Sequence, residues 1–254
     1  MAVRCVLLDI GGVLYVGDEP LPGARRALKR LRDAEMPLRF LTNTTSSPKR
    51  KVLEKLGRMG FEVGADELFA PAAAAHAWLA ERRLSPWLLT APELEEDFAG
   101  FDGDAGIAVV VGDAGPGFTY GRLNEAFRLL TDGAPLVALG RNRYFRKPEG
   151  LTLDAGPFVA ALEYAAGVEA TVLGKPAPAF FNAALASAGR APDEAVMVGD
   201  DWEADVNGAV AAGLGGMLVR TGKYGPGDED RLKEGASAVD DLGAAVTAIL
   251  DAHG

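Results

Sequence analysis

Four aspartates and a lysine in this chain have the types and settings that nucleophilic or metal-binding chemistry uses. Asp9 ends the apolar run Val6-Leu7-Leu8 and is followed by Ile10-Gly11-Gly12-Val13. A short apolar run ending on a carboxylate and a glycine turn reads as a buried strand that delivers Asp9 to the carboxyl edge of a sheet, where open α/β folds bind ligands. An aspartate there serves as nucleophile or metal ligand. Three more segments close strands on reactive groups: Thr42-Asn43-Thr44, Gly174-Lys175-Pro176 and Gly199-Asp200-Asp201, with Asp205 about one helical turn beyond. Each has a plainer reading as well. Thr42 and Asn43 suit a helix cap, Lys175 a solvated surface lysine, and Asp200 and Asp201 an N-terminal pair favoured by the helix dipole. Asp9 is the hardest to explain so, because a carboxylate closing a buried run needs a partner.

The elements that must position these groups alternate. Strand patterns cover 3–9, 38–43, 195–200 and 216–220. Helical patterns cover Pro22 to Ala34, Pro48 to Met59, Ala177 to Ala188 and Asp205 to Ala212, the last three each followed by glycine. Alternation of this kind predicts a Rossmann-like, doubly wound, mostly parallel α/β sheet. The middle of the chain repeats the pattern, with helices over 72–83, 122–130 and 157–166 and strands over 87–90, 107–111 and 136–139. It has the length and apolar content of a domain of its own. The expected organisation is a core domain over 1–74 and 174–254, with an inserted α/β cap domain over 75–173 at the carboxyl edge of the core sheet.

The 254 residues suffice for a sizeable core, and apolar and charged shares of 48% and 24% are those of a globular protein. Twenty-six basic against 36 acidic residues give a net charge of −10, which argues against nucleic acid and anionic membrane surfaces as partners. An anionic substrate then needs a locally positive pocket. The single cysteine, Cys5, falls in the first strand and forms no internal disulfide. With no secretory signal and no membrane-length apolar run in view, a cytoplasmic location is the expectation.

Taken together and in this order, the four strand-end segments resemble the motifs of the haloacid dehalogenase-like superfamily, and the likeness spans essentially the whole chain. The long insertion between Thr42 and Lys175 resembles the large α/β cap of its NagD-like branch. Leu38 to Thr45, Asn124 to Leu130, Leu162 to Ala165 and Gly199 to Asp201 are similar to eukaryotic-type members of that branch. The resemblance implies a phosphatase acting on a small phosphorylated substrate. Asp9 would be the nucleophile. Mg²⁺ would be held by Asp9, the Gly11 carbonyl and Asp200, in keeping with that ion's taste for hard oxygen donors. Ile10, Gly11, Thr42 and Asn43 would contact the phosphoryl group, Lys175 would offset charge during transfer, and Asp201 and Asp205 would support the metal and Lys175. Caps of this branch often pair, which leaves room for a homodimer.

The position two after the nucleophile, where most phosphatases of the superfamily carry a second aspartate as acid and base, is Gly11. A backbone carbonyl can still hold a metal, but nothing remains to protonate a leaving group. General acid–base help is worth about 10²- to 10⁴-fold. The expectation is therefore a phosphatase biased toward activated donors: aryl phosphates, pyrophosphate or phosphoramidates. The alternative from another class is a catalytically weak member that binds a phosphorylated ligand or protein partner. A dehalogenase fits poorly with Asp200 beside Asp9, and a mutase relies on the missing acid.

Arg141-Asn142-Arg143-Tyr144-Phe145-Arg146-Lys147 is a basic, aromatic run in an acidic protein. It reads either as a cap loop presenting Arg143 and Tyr144 to substrate or as a solvated hairpin. The glycine-rich stretch 112–117 does not match a nucleotide-binding fingerprint. His76 and His253 lack metal-ligand partners at useful spacing, and the nucleophile-elbow motif is absent.

Overall fold

The computed structural model describes residues 3–101, 103–147 and 150–252. His253 lies outside them. In chain order the first part runs β1 (Cys5–Asp9), β2 (Tyr15–Val16), β3 (Glu19–Pro20), α1 (Ala24–Asp33), β4 (Leu38–Leu41), α2 (Lys49–Arg58) and β5 (Leu68–Phe69). The middle contributes α3 (Pro71–Arg82), β6 (Ser85–Leu89), β7 (Ile107–Val111), α4 (Tyr120–Thr131), β8 (Leu136–Ala138), β9 (Tyr144–Lys147), β10 (Gly150–Leu153), α5 (Gly156–Ala166) and β11 (Thr171–Val172). The last part holds α6 (Pro178–Ala188), β12 (Ala195–Gly199), α7 (Gly208–Ala211), β13 (Gly215–Val219), β14 (Ala236–Val239) and α8 (Leu242–Asp251). The protein is of the α/β class, as the alternation of patterns led one to expect.

Two compact units emerge. The first comprises Met1–Thr42, Leu53–Phe69 and Lys175–Gly254; the second comprises Asn43–Val52 and Ala70–Gly174. Helix α3 thus belongs wholly to the second unit, and α2 is shared between the two lists.

The first unit is built on a six-stranded sheet in the order β14-β13-β12-β1-β4-β5, with every pairing parallel. Parallel strands covered on both faces read as continuous apolar runs. That accounts for β1, buried at all five positions, and for β12, likewise buried throughout. Helix α1 turns Ala24, Ala27, Leu28 and Leu31 inward, the face its periodicity marked out. It starts two residues later than Pro22 suggested, because Gly23 takes a left-handed conformation (φ 78°) before the first turn.

The second unit carries a four-stranded parallel sheet, β11-β8-β7-β6. Successive residues of β7 serve opposite faces: Val109 and Val111 pack with Ala126, Leu130 and Val159, whereas Ala108 and Val110 pack with Ala75, Leu79 and Phe98. Two-sided burial is why Ile107 to Val111 shows no polar alternation. The basic run 141–147 leads into an antiparallel hairpin in which Tyr144 pairs with Leu153.

Candidate active site

The site grows from three neighbouring strand ends of the first unit. Asp9 ends β1 and pairs in register with Leu41, the last residue of β4, so Thr42 follows immediately after that strand end. On the other side Leu8 pairs with Val198, which sets Gly199 and Asp200 at the same edge. Parallel register alone therefore gathers Asp9, Thr42 and Asp200, at the carboxyl edge where such sheets bind ligands. Lys175 approaches from just ahead of α6. All four side chains are buried, which excludes the surface reading of Lys175.

Lys175 Nζ forms ion pairs with Asp9 Oδ1 and with Asp205 Oδ1, the latter at 2.6 Å. Burial alone would favour the neutral amine. The charges of Asp205 and Asp9 outweigh it and hold the Lys175 pKa above its ordinary value, so the lysine stays an ammonium. Carboxylate oxygens of Asp9, Asp200 and Asp205 all lie within 4.8 Å of one another. Desolvation, then the charges of Asp9 and Asp205, push Asp200 up to about 8. Burial likewise raises Asp205 to about 6, although Lys175 pulls the other way.

Three buried carboxylates thus face one buried ammonium. The excess negative charge and the all-oxygen donor set fit a hard divalent cation such as Mg²⁺. Both Asp205 oxygens are engaged, Oδ1 by Lys175 and Oδ2 by the Asp201 N–H, which leaves Asp9 and Asp200 as the side chains best placed to hold the ion.

Asp201 acts as a cap: its Oδ1 accepts the N–H groups of Glu203 (3.0 Å) and Ala204 (2.9 Å). Desolvation raises its carboxyl, but these bonds and the Lys223 charge prevail and bring it below the usual range. Its own N–H donates to Asp205 Oδ2 at 3.2 Å. The helix anticipated over 205–212 instead begins at Trp202, as a π-helical turn through Asn207 before α7. The Asp201 cap starts it directly after the strand, and the Val206 N–H reaches back to the Asp201 carbonyl at 3.2 Å. The wider turn carries Asp205 inward to Lys175.

Ile10 is buried, and Gly11 forms an isolated bridge with Tyr15. Asn43, Arg143 and Tyr144 belong to the second unit. Arg143 and Tyr144 are both exposed there. His76 is exposed on α3, edge-on to Phe101, and no histidine joins a metal-ligating group among the described residues. No helix among those residues is long and apolar enough to cross a membrane.

Residues 221–223 went unnoticed in the sequence. The Lys223 N–H donates to Asp200 Oδ2 at 2.7 Å, and the Thr221 hydroxyl donates to the Gly12 carbonyl at 2.5 Å. A Thr-Gly-Lys after a strand is an ordinary turn signal, and nothing local marks it as part of the site.

A parallel α/β core with an Asp–Lys–Asp constellation at its carboxyl edge defines a hydrolase of the haloacid dehalogenase type. A family model described as haloacid dehalogenase-like hydrolase matches residues 6–103, and a second, HAD-hydrolase-like, matches 172–245. The chain is 46% identical over 231 residues to human haloacid dehalogenase-like hydrolase domain-containing protein 2, covering 91% of this chain and 89% of that one. It is 44% identical to the phospholysine phosphohistidine inorganic pyrophosphate phosphatase of Danio rerio, covering 98% and 95%. Among solved structures, the 4-nitrophenylphosphatase of Thermotoga maritima superposes with a TM-score of 0.88 at 28% identity, covering 98% of each chain. The glycerol phosphate phosphatase of Mycobacterium tuberculosis, in complex with magnesium, gives 0.82 at 29%, covering 94% and 76%. The chain belongs to the haloacid dehalogenase-like hydrolase family.

Proposed function

We propose that this chain is a Mg²⁺-dependent phosphatase that works through an aspartyl-phosphate on Asp9 and favours activated phosphoryl donors. The observation that carries the reading is the buried Asp9–Lys175–Asp205 ion-pair chain with Asp200 alongside. An Asp9 oxygen attacks phosphorus, and the bond to the leaving oxygen or nitrogen breaks with its electron pair. Water then releases phosphate and regenerates the carboxylate. Thr42 and the backbone around Ile10, Gly11 and Asn43 bind phosphoryl oxygens. Lys175 offsets the charge shared by nucleophile and phosphate. Asp9, Asp200 and the Gly11 carbonyl would hold Mg²⁺, which would supply positive charge to the phosphoryl group. Asp201 and Asp205 keep Lys175 and the metal-holding groups in place. The second unit serves as the cap and supplies Arg143 and Tyr144 to the substrate.

Pure protein with Mg²⁺, assayed across a leaving-group series, tests the reading. Aryl phosphate, pyrophosphate or phosphoramidate should turn over faster than sugar phosphates, and the opposite order would overturn the preference. A beryllium fluoride adduct trapped on Asp9 would support transfer competence. Gly11 is the one feature that favours binding without turnover; that reading gains if no adduct forms and no donor is hydrolysed.

Gly11 also offers a direct manipulation. A Cβ there meets nothing within 4 Å, and the residue lies outside the left-handed region. Gly11→Asp should therefore fold, and should raise turnover of alkyl phosphates about tenfold or more while changing p-nitrophenyl phosphate little. A uniform response across the series would sink the missing-acid argument.

Metal dependence carries a pH signature. The Asp200 pKa is raised in the folded state to about 8. Its contribution to stability is present at low pH and is lost as pH rises from the ordinary carboxylate range through 8. Mg²⁺ binds the deprotonated site and displaces the proton. The Mg²⁺-induced rise in Tm should be larger at pH 8 than at pH 6 in a thermal-shift titration. Equal rises at both would count against Asp200 as a ligand.

A further inference from the structure

The turn after β13 makes contacts that the Asp9, Thr42, Lys175 and Asp200 segments do not explain. Its backbone is closed by the Tyr224 N–H on the Thr221 carbonyl at 3.1 Å. From it, Lys223 donates to Asp200 and Thr221 donates to Gly12. Gly12 (φ 78°) and Gly222 (φ 61°) meet across the Asp200 carboxylate, and a Cβ on either would fall on Asp200 Oδ2. The strand-end loops of β1, β12 and β13 are thereby locked together with no room for a side chain between them.

The Gly12 N–H, meanwhile, donates to the Tyr15 carbonyl at 2.7 Å. That N–H shares a planar peptide unit with the Gly11 carbonyl, so fixing one fixes the direction of the other. The next peptide unit, which contains the Gly12 carbonyl, is fixed by Thr221. Both planes flanking a glycine that would otherwise be the freest point of the loop are therefore pinned. The Thr221 bond is the only side-chain one of the two.

From this geometry we infer that Thr221 is a positioning residue: its hydroxyl pins the Gly12 carbonyl, and so steadies the Gly12 hinge beside Asp200 from which the Gly11 carbonyl would reach Mg²⁺. The inference rests on the Mg²⁺-dependent reading of the site. Groups that orient metal ligands typically change metal affinity 10- to 100-fold when lost.

The test compares the full-length wild type with Thr221→Val, Thr221→Ala and Thr221→Ser by calorimetric titration with Mg²⁺ alone. Metal-free Tm, and kcat and KM for p-nitrophenyl phosphate at saturating Mg²⁺, are measured in parallel. Thr221→Val and Thr221→Ala should bind Mg²⁺ about 10- to 100-fold more weakly. Thr221→Ser, which keeps the hydroxyl, should restore binding to near wild type. A merely structural role would lower metal-free Tm in the Val and Ala variants without selective loss of Mg²⁺ affinity, and would overturn the inference. If Val fails to fold, Ala decides; if both fail while Ser folds and binds normally, the hydroxyl acts on folding and the inference is likewise overturned. Wild type that binds no Mg²⁺ would instead defeat the underlying metal-dependent reading.

Discussion

Asp9→Asn leaves a folded protein with no measurable phosphatase turnover. The loss should be on the order of 10⁴-fold or more, as expected when a nucleophile is removed from machinery that acts as a unit. The fold should survive for a specific reason. Asparagine is nearly isosteric with aspartate, and the buried Lys175 ammonium keeps its 2.6 Å ion pair with Asp205. The Lys175 charge is therefore not left without a partner. Phosphate release from p-nitrophenyl phosphate, read beside a thermal melt, checks both halves. Intact-protein mass spectrometry after quenching should detect a phosphoryl adduct on wild type and none on the variant. Retained turnover in Asp9→Asn would remove Asp9 as nucleophile and the aspartyl-phosphate with it.

Replacing Lys175 with methionine should have the largest effect on stability. The side chain is 3% exposed, and its ammonium lies between Asp9 and Asp205. Methionine fills similar volume but leaves those carboxylates without their shared buried cation. Breaking a buried pair from one side costs about 3–5 kcal/mol, which corresponds to a fall in Tm on the order of 10 °C for a chain of this size. The deficit should depend on pH with a definite sign. Burial already raises Asp205 to about 6 with Lys175 attached. Without Lys175 its folded-state pKa climbs further, so the variant loses stability as pH rises from the ordinary carboxylate range through that raised value. The difference in Tm between Lys175→Met and wild type should be smaller near pH 5 than near pH 8. Turnover should fall with it, since the ammonium no longer offsets charge shared by the nucleophile and the phosphate. A variant as stable as wild type across this range would mean the ion pairs add nothing net.

Much of the architecture was legible because its signals are local. An unbroken apolar run ending on Asp9 before a glycine turn reads as a buried strand. Alanines and leucines at helical spacing marked the inward face of α1. The details that shifted were those set by neighbours. Helix α1 begins after Gly23 rather than at Pro22, and the helix expected from Asp205 begins three residues earlier because Asp201 caps it. The strand β14 and the helix α8 escaped notice, although Leu242, Ala245, Val246 and Ile249 at helical spacing mark the inward face of α8.

The sequence by itself determined which groups could do chemistry here. A carboxylate closing each of two apolar strands, a lysine before a proline and a glycine in place of an acid are properties of residue type and order. Tertiary structure alone decided which of them meet. Lys175 and Asp9 are separated by 166 residues, and Thr221 and Gly12 by 209. Strand order and register, not spacing along the chain, set those meetings, because parallel strands joined by crossovers become neighbours through sheet pairing. The same long-range packing leaves Asp200 between two glycines and gives Thr221 a partner that no nearby residue announces.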